Sequence, residues 1–166
     1  MMQKPTSELV YNRTSDDITS AINLVNRMIA GTQSTEDEQN WISGDVPGAL
    51  TYSTLNRIET WTQYLNNYLN ECGYNSAINS IKTNWTSSDY FYPEDQNRIR
   101  SNIDALQNGF ASLPDWKEIT YTATMDYTQA NAIEWDLSLI YLWLVRMTSY
   151  VIYSGETYCG GIWAII

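Results

Sequence analysis

Apolar residues recur at helical spacing in four stretches. Ile18, Ile22, Val25 and Ile29 follow at 4-3-4. They form one stripe of a helix predicted over 15–30, opened by Ser15-Asp16-Asp17 and stopped by Gly31. Leu55, Ile58, Trp61, Leu65 and Tyr68, with Leu69 beside them, give a second helix over 54–70. Ser53 or Thr54 caps it and Cys72-Gly73 ends it. Pro93 suits a first helical turn because its missing N–H costs nothing there. Ile99, Ile103, Leu106 and Phe110 carry that third helix over 93–109. Ala130, Ile133, Leu137, Ile140, Leu144, Met147 and Val151 sustain a heptad-like seam in a fourth, over 128–150.

Between these stretches the period fails or changes. Thr32 to Asn40 is polar, acidic and aperiodic, and reads as a connector closed by the Pro47-Gly48 turn. Tyr74, Ile78 and Ile81 suggest a short helix over 75–82. Ile119, Tyr121, Ala123, Met125 and Tyr127 alternate with Thr120, Thr122, Thr124 and Asp126, the period of a strand. Its partner is expected in Val151-Ile152-Tyr153 or Thr157-Tyr158-Cys159, around the turn signal Ser154-Gly155-Glu156. The predicted fold is therefore mainly α. It is a four-helix bundle-like single domain with long tryptophan-bearing connectors and a small β-hairpin or sheet near the C-terminus. Residues 1–14 form an N-terminal arm, 15–159 the bundle and 160–166 an apolar tail.

Three of the helices begin alike. Asn56-Arg57-Ile58-Glu59, Asn97-Arg98-Ile99-Arg100 and Asn131-Ala132-Ile133-Glu134 each set an asparagine two positions before a core isoleucine. A polar–tryptophan pair precedes each: Asn40-Trp41, Asn84-Trp85 and Asp115-Trp116. Asparagine is a poor helix-interior residue unless its amide is occupied. Asn56, Asn97 and Asn131 are therefore expected to hold the connector backbone that carries the tryptophan. Arg57 and Arg98 are expected to pair with Glu59 or Glu134, or with a partner protein. A catalytic reading of Asn56, Arg57 and Glu59 is disfavoured, because repetition on separate helices suits architecture better than one active site. No catalytic residue is assigned.

Composition narrows the function classes. The net charge is −10 with only 9 Lys and Arg, dispersed along the chain, which argues against nucleic acid as a partner. Histidine is absent, removing the commonest general base and metal ligand. Glu36, Asp37 and Glu38 lack the alternating oxygen ligands of a calcium loop, so no metal and no cofactor are expected. Cys72 and Cys159 are expected as reduced thiols, with a bridge between them as the alternative. No apolar leader opens the chain, and the run Leu137 to Val145 is too short to span a bilayer. Synthesis in the cytoplasm and no membrane association are expected. The 13 Tyr and 7 Trp suit half-wet sites and interfaces. Trp41, Trp85, Trp163, Ile165 and Ile166 are the expected subunit contacts, and Trp116 is expected inside. The tail Gly160-Gly161-Ile162-Trp163-Ala164-Ile165-Ile166 either tucks into its own core or inserts into a neighbour.

The motifs carry a resemblance. Asn84-Trp85-Thr86-Ser87-Ser88-Asp89-Tyr90 leading into Asn97-Arg98-Ile99, Asn56-Arg57-Ile58-Glu59 leading to Tyr64-Leu65, and the ending Tyr153-Ser154-Gly155-Glu156-Thr157-Tyr158-Cys159-Gly160 resemble virion proteins of phages and prophages of Firmicutes. The likeness covers about 41 to 160 and departs at Ala132, which stands where the other copies have arginine. It implies a tail- or fibre-associated component of the virion, made in the host cytoplasm. Other virion proteins are its expected partners, together with itself as a symmetric oligomer. Alternatives are a capsid decoration or head-fibre protein, and an aromatic-rich module binding a cell-surface glycan.

Overall fold

The computed structural model describes residues 3–119 and 125–155, with side chains as far as Ser149. It is mainly α-helical. The helices are α1 (Ser15–Ala30), α2 (Thr35–Ser43), α3 (Tyr52–Glu71), α4 (Pro93–Phe110) and α5 (Tyr127–Gly155).

Local chemistry sets the ends of α1 and α2. Thr14 caps α1 and forms a reciprocal box with Asp17, while Gly31 closes the helix in the left-handed conformation. The acidic stretch expected to be an aperiodic connector is α2. Ser34 and Asp37 form the same reciprocal box, and Gly44 ends the helix at φ 70°. The Ser-x-x-Asp spacing, followed by a glycine, was its only sequence signal. The missing apolar period has a physical reason, since α2 buries none of its residues.

Three helices, not four, make the central bundle. The stripes of α3, α4 and α5 meet in one core, where Ile58, Leu65, Leu69, Ile103, Leu106, Ile133, Leu137, Ile140 and Leu144 are fully buried. α1 packs instead beside α2. A separate small cluster there joins Ala21 and Leu24 to Val46. The predicted stripe of α1 is therefore turned largely outward: Ile22 is 55% and Ile29 81% exposed. Gly48 ties this unit down. Its φ is +86°, and a Cβ there would stand 2.4 Å from the Asp17 backbone.

α3, α4 and α5 run parallel. Arg57 and Arg98, each the sixth residue of its helix, reach Glu134 and Glu59, each the eighth residue of a neighbouring helix. Near the far ends, Tyr68 of α3 meets Thr148 of α5. Parallel neighbours require each connector to return the length of a helix. Residues 74–86 do so as an extended segment between α3 and α4, and no helix forms over 75–82. This segment crosses Gly109 of α4 so closely that a Cβ there would lie 2.8 Å from the Ser76 backbone.

The predicted β element is corrected where it can be seen. Val151 to Tyr153 belong to α5, and Ile119 and Met125 are not in a strand. The 3.6 period of the seam continues through Val151 and extends the helix past the turn signal. Residues 120–124 and Thr157-Tyr158-Cys159 lie outside the described residues, as does the pairing of Cys159. Cys72 is exposed.

Candidate functional site: the interhelical seams and the exposed apolar face

The repeated asparagine and glutamate work as one gripping unit. The Asn56 amide accepts from the Trp85 backbone N–H (2.7 Å) and donates to the Trp85 carbonyl (2.9 Å). One turn on, Glu59 accepts from the Lys82 backbone N–H (3.0 Å) and from the Trp85 indole N–H (3.0 Å). Arg98 of α4 donates to both oxygens of the same carboxylate, at 2.6 and 2.7 Å. Its guanidinium pKa is raised, chiefly by that hydrogen bonding to Glu59.

The seam between α5 and α3 repeats this arrangement in the same register. Asn131 accepts from the Arg13 backbone N–H (3.2 Å) and donates to the Arg13 carbonyl (2.9 Å). Glu134 accepts from the backbone N–H of Val10 (2.6 Å) and from the Arg13 side chain (2.6 Å). The fork from the next helix is Arg57, at 2.8 and 2.9 Å. In both seams the glutamate takes the N–H three residues before the gripped one. Six residues before it, Ser7 accepts from the Trp61 indole at 2.8 Å, and the Asn79 N–H donates to Asn102 at 2.7 Å. Trp61 and Asn102 stand at matching positions, five beyond Asn56 and Asn97. The N-terminal arm thus lies in the α5/α3 groove as 76–85 lies in the α3/α4 groove.

The α4/α5 seam departs from the pattern. Arg100 takes the place of the glutamate and Ala132 that of the arginine. Arg100 is fully buried and donates to Gln129. Asn97 is exposed. Asp136, five beyond Asn131, is fully buried and accepts from the Lys117 N–H at 2.9 Å. Burial pushes its carboxyl up to about 7, against a lowering by the Lys117 N–H and charge; Asp104 raises it slightly.

Two sequence expectations change. Each helix was paired with the tryptophan before it, yet Asn56 grips the one that follows. The connector passes the first turns of α3 only at its own far end, where Trp85 stands. Trp85 was also expected at a subunit contact, but it is 3% exposed. Its indole is spent on Glu59, and the Lys82 ammonium lies 3.8 Å from its ring centroid. Trp41 and Ile42 are exposed, at 45% and 74%. Trp116 is half-buried against the main core. Trp163, Ile165 and Ile166 lie outside the described residues.

Large apolar side chains are exposed in the arm (Tyr11), in the segment leading into α4 (Tyr90, Tyr92) and on α5 (Leu142, Val145). Ile22, Ile29, Trp41 and Ile42 all belong to α1 and α2, whose own cluster is small. Among the described residues no group of three or more acidic, cysteine or histidine side chains could hold a metal ion. None of the helices searched is long and apolar enough to cross a membrane. Comparison with protein-family models, curated proteins and solved structures gave no match.

Proposed function

We propose that this chain is a structural, non-enzymatic component of a phage particle, docking to neighbouring virion subunits in the tail, baseplate or fibre-attachment region. The observation that carries the docking reading is the division of the molecule. The α3–α5 unit gathers its central stripes into one buried core and exposes Leu142 and Val145 only to 47% and 37%, whereas α1 and α2 leave Ile22, Ile29 and Ile42 exposed to 55%, 81% and 74%. Large apolar side chains grouped on one part of a surface are what a partner covers. The place in a virion rests on the repeated Asn-Arg-Ile-Glu and tryptophan motifs. The apolar end with Trp163, Ile165 and Ile166 would add a second contact.

The absence of catalysis is supported by how the two best-placed carboxylates are used. Glu59 and Glu134 sit in different seams, and each is consumed by an arginine fork and a backbone N–H. A carboxylate so occupied has no lone pair in a position to take a substrate proton.

Mass spectrometry and imaging of purified particles test the reading. The chain should be present in fixed stoichiometry and located at the tail. Density on the capsid would favour the decoration or head-fibre alternative, and absence from the particle would refute a virion role. Ile22→Asp with Ile29→Asp should prevent incorporation while leaving the isolated chain folded.

A further inference from the structure

A cleft opens where α2, the loop after it, the first turn of α3 and the 85–91 segment meet. Its volume is about 260 Å³. Ligand pockets commonly span about 300–1,000 Å³, so this one suits a single ring rather than an extended chain. Trp41, Tyr52, Trp85 and Phe91 supply aromatic lining, and Thr86, Ser87 and Asp89 supply polar lining. Trp41 is 45% exposed, and Thr86, Ser87 and Asp89 are exposed as well.

The walls are fixed by hydrogen bonds within the chain. The Tyr52 hydroxyl donates to the Ile42 carbonyl at 2.6 Å, and Thr51 donates to the Gly44 carbonyl at 2.7 Å. Gly44 sits so near that a Cβ would be 3.0 Å from the Tyr52 ring. In the 85–91 segment Asp89 accepts from the Thr86 N–H (2.7 Å) and hydroxyl (2.9 Å), and that hydroxyl accepts from the Ser88 N–H at 3.3 Å. Lys82 donates to the other carboxylate oxygen of Asp89 at 2.8 Å. That ion pair, with the Thr86 bonds, holds Asp89 ionised, with its pKa down at about 2.

The charge balance selects the ligand class. Asp89 is the one charged residue among those lining the cleft, and Lys82 already neutralises it. A cation therefore finds no uncompensated charge here, and an anion meets a chain of net charge −10. What remains is an accessible indole for an apolar ring face, with a hydroxyl and a carboxylate edge for hydrogen bonds. An uncharged sugar ring has that pairing of surfaces: C–H groups on one face and hydroxyls around the rim.

We infer that this cleft binds one ring of a neutral glycan, stacked on Trp41 and hydrogen-bonded by Ser87 and Asp89. This goes beyond the docking reading, which rests on Ile22, Ile29 and Ile42, and makes Trp41 a ligand wall rather than a subunit contact.

The test is titration of the full chain with cellobiose, lactose, mannobiose and N,N′-diacetylchitobiose, following the indole N–H signals by NMR. The Trp41 signal is assigned by its loss in Trp41→Ala. At least one sugar should give a saturable millimolar shift of that signal. Trp41→Ala should weaken binding by about tenfold or more, with unchanged thermal melting, as loss of an aromatic platform requires. Ser87→Ala should weaken it less. The inference is overturned if no sugar shifts the signal, if Trp41→Ala binds equally well, or if choline or an apolar peptide binds the cleft and the sugars do not. Ile22→Asp with Ile29→Asp should leave sugar binding intact, so failure of one reading does not decide the other.

Discussion

Asp136 is the residue whose chemistry depends most on the fold. Its folded value of about 7 lies above the ordinary 3.8, because burial penalises the anion. The unfolded chain therefore releases the proton at lower pH than the folded one. This contribution to stability is fully present below about pH 4 and is lost as pH rises through about 7. At the usual 1.36 kcal/mol per pKa unit, the difference is roughly 4 kcal/mol. Asp136→Asn keeps an acceptor for the Lys117 N–H. The variant should be more stable than the parent at pH 8 and show a flatter pH profile, as denaturant unfolding at several pH values would reveal. Glu134 is a buried carboxylate held by Arg13 and Arg57. Glu134→Ala leaves both guanidiniums without their anion and should cost about 3–5 kcal/mol, measured the same way.

α3 and α5 each grip an extended segment, 76–85 and the N-terminal arm, through an asparagine and a glutamate. The Asn56 amide makes two backbone bonds to Trp85, so Asn56→Ala should cost about 1–3 kcal/mol. Amide exchange over 80–86 should speed up in that variant before the rest of α3 is affected. Gly109→Ala would improve helix propensity yet press a methyl into the Ser76 backbone. The steric term should win, with a net loss of about 1–3 kcal/mol in thermal melting. A gain in stability would mean the connector can move aside. The stripes of α3, α4 and α5 were legible because each apolar position is buried in one continuous core. α2 was not, since it buries nothing and its capping box was its only mark. The asparagine grip was legible in outline, because an amide near a core stripe needs a partner. Which connector it grips was not, as that follows from the helices being parallel.

The described residues divide into a three-helix unit with one continuous core and an α1–α2 appendage. The arm 3–13 belongs to the first by its contacts, although α1 and α2 separate it in sequence from α3. Replacing residues 15–43 by a polar linker should therefore leave most of the stability in place. Circular dichroism melting within a few degrees of the parent would confirm it. Collapse of the fold would show that the appendage supports the arm. The same division underlies the docking and glycan readings, since both use side chains that the bundle does not need.

The residues alone determined the helical class, the three similar helix starts and the core stripes, and offered Glu59 and Glu134 as partners for the arginines, a choice that the structure made as Arg57–Glu134 and Arg98–Glu59. Those features depend on spacing of a few positions, which a helix converts directly into a shared face. Tertiary structure decided that the bundle has three parallel helices, that the α1 stripe faces outward, and that Trp85 is spent inside the chain. Periodicity records that a face is apolar, but not what covers it. That choice belongs to the return path of the connectors, whose backbone N–H groups had to find acceptors on particular helices.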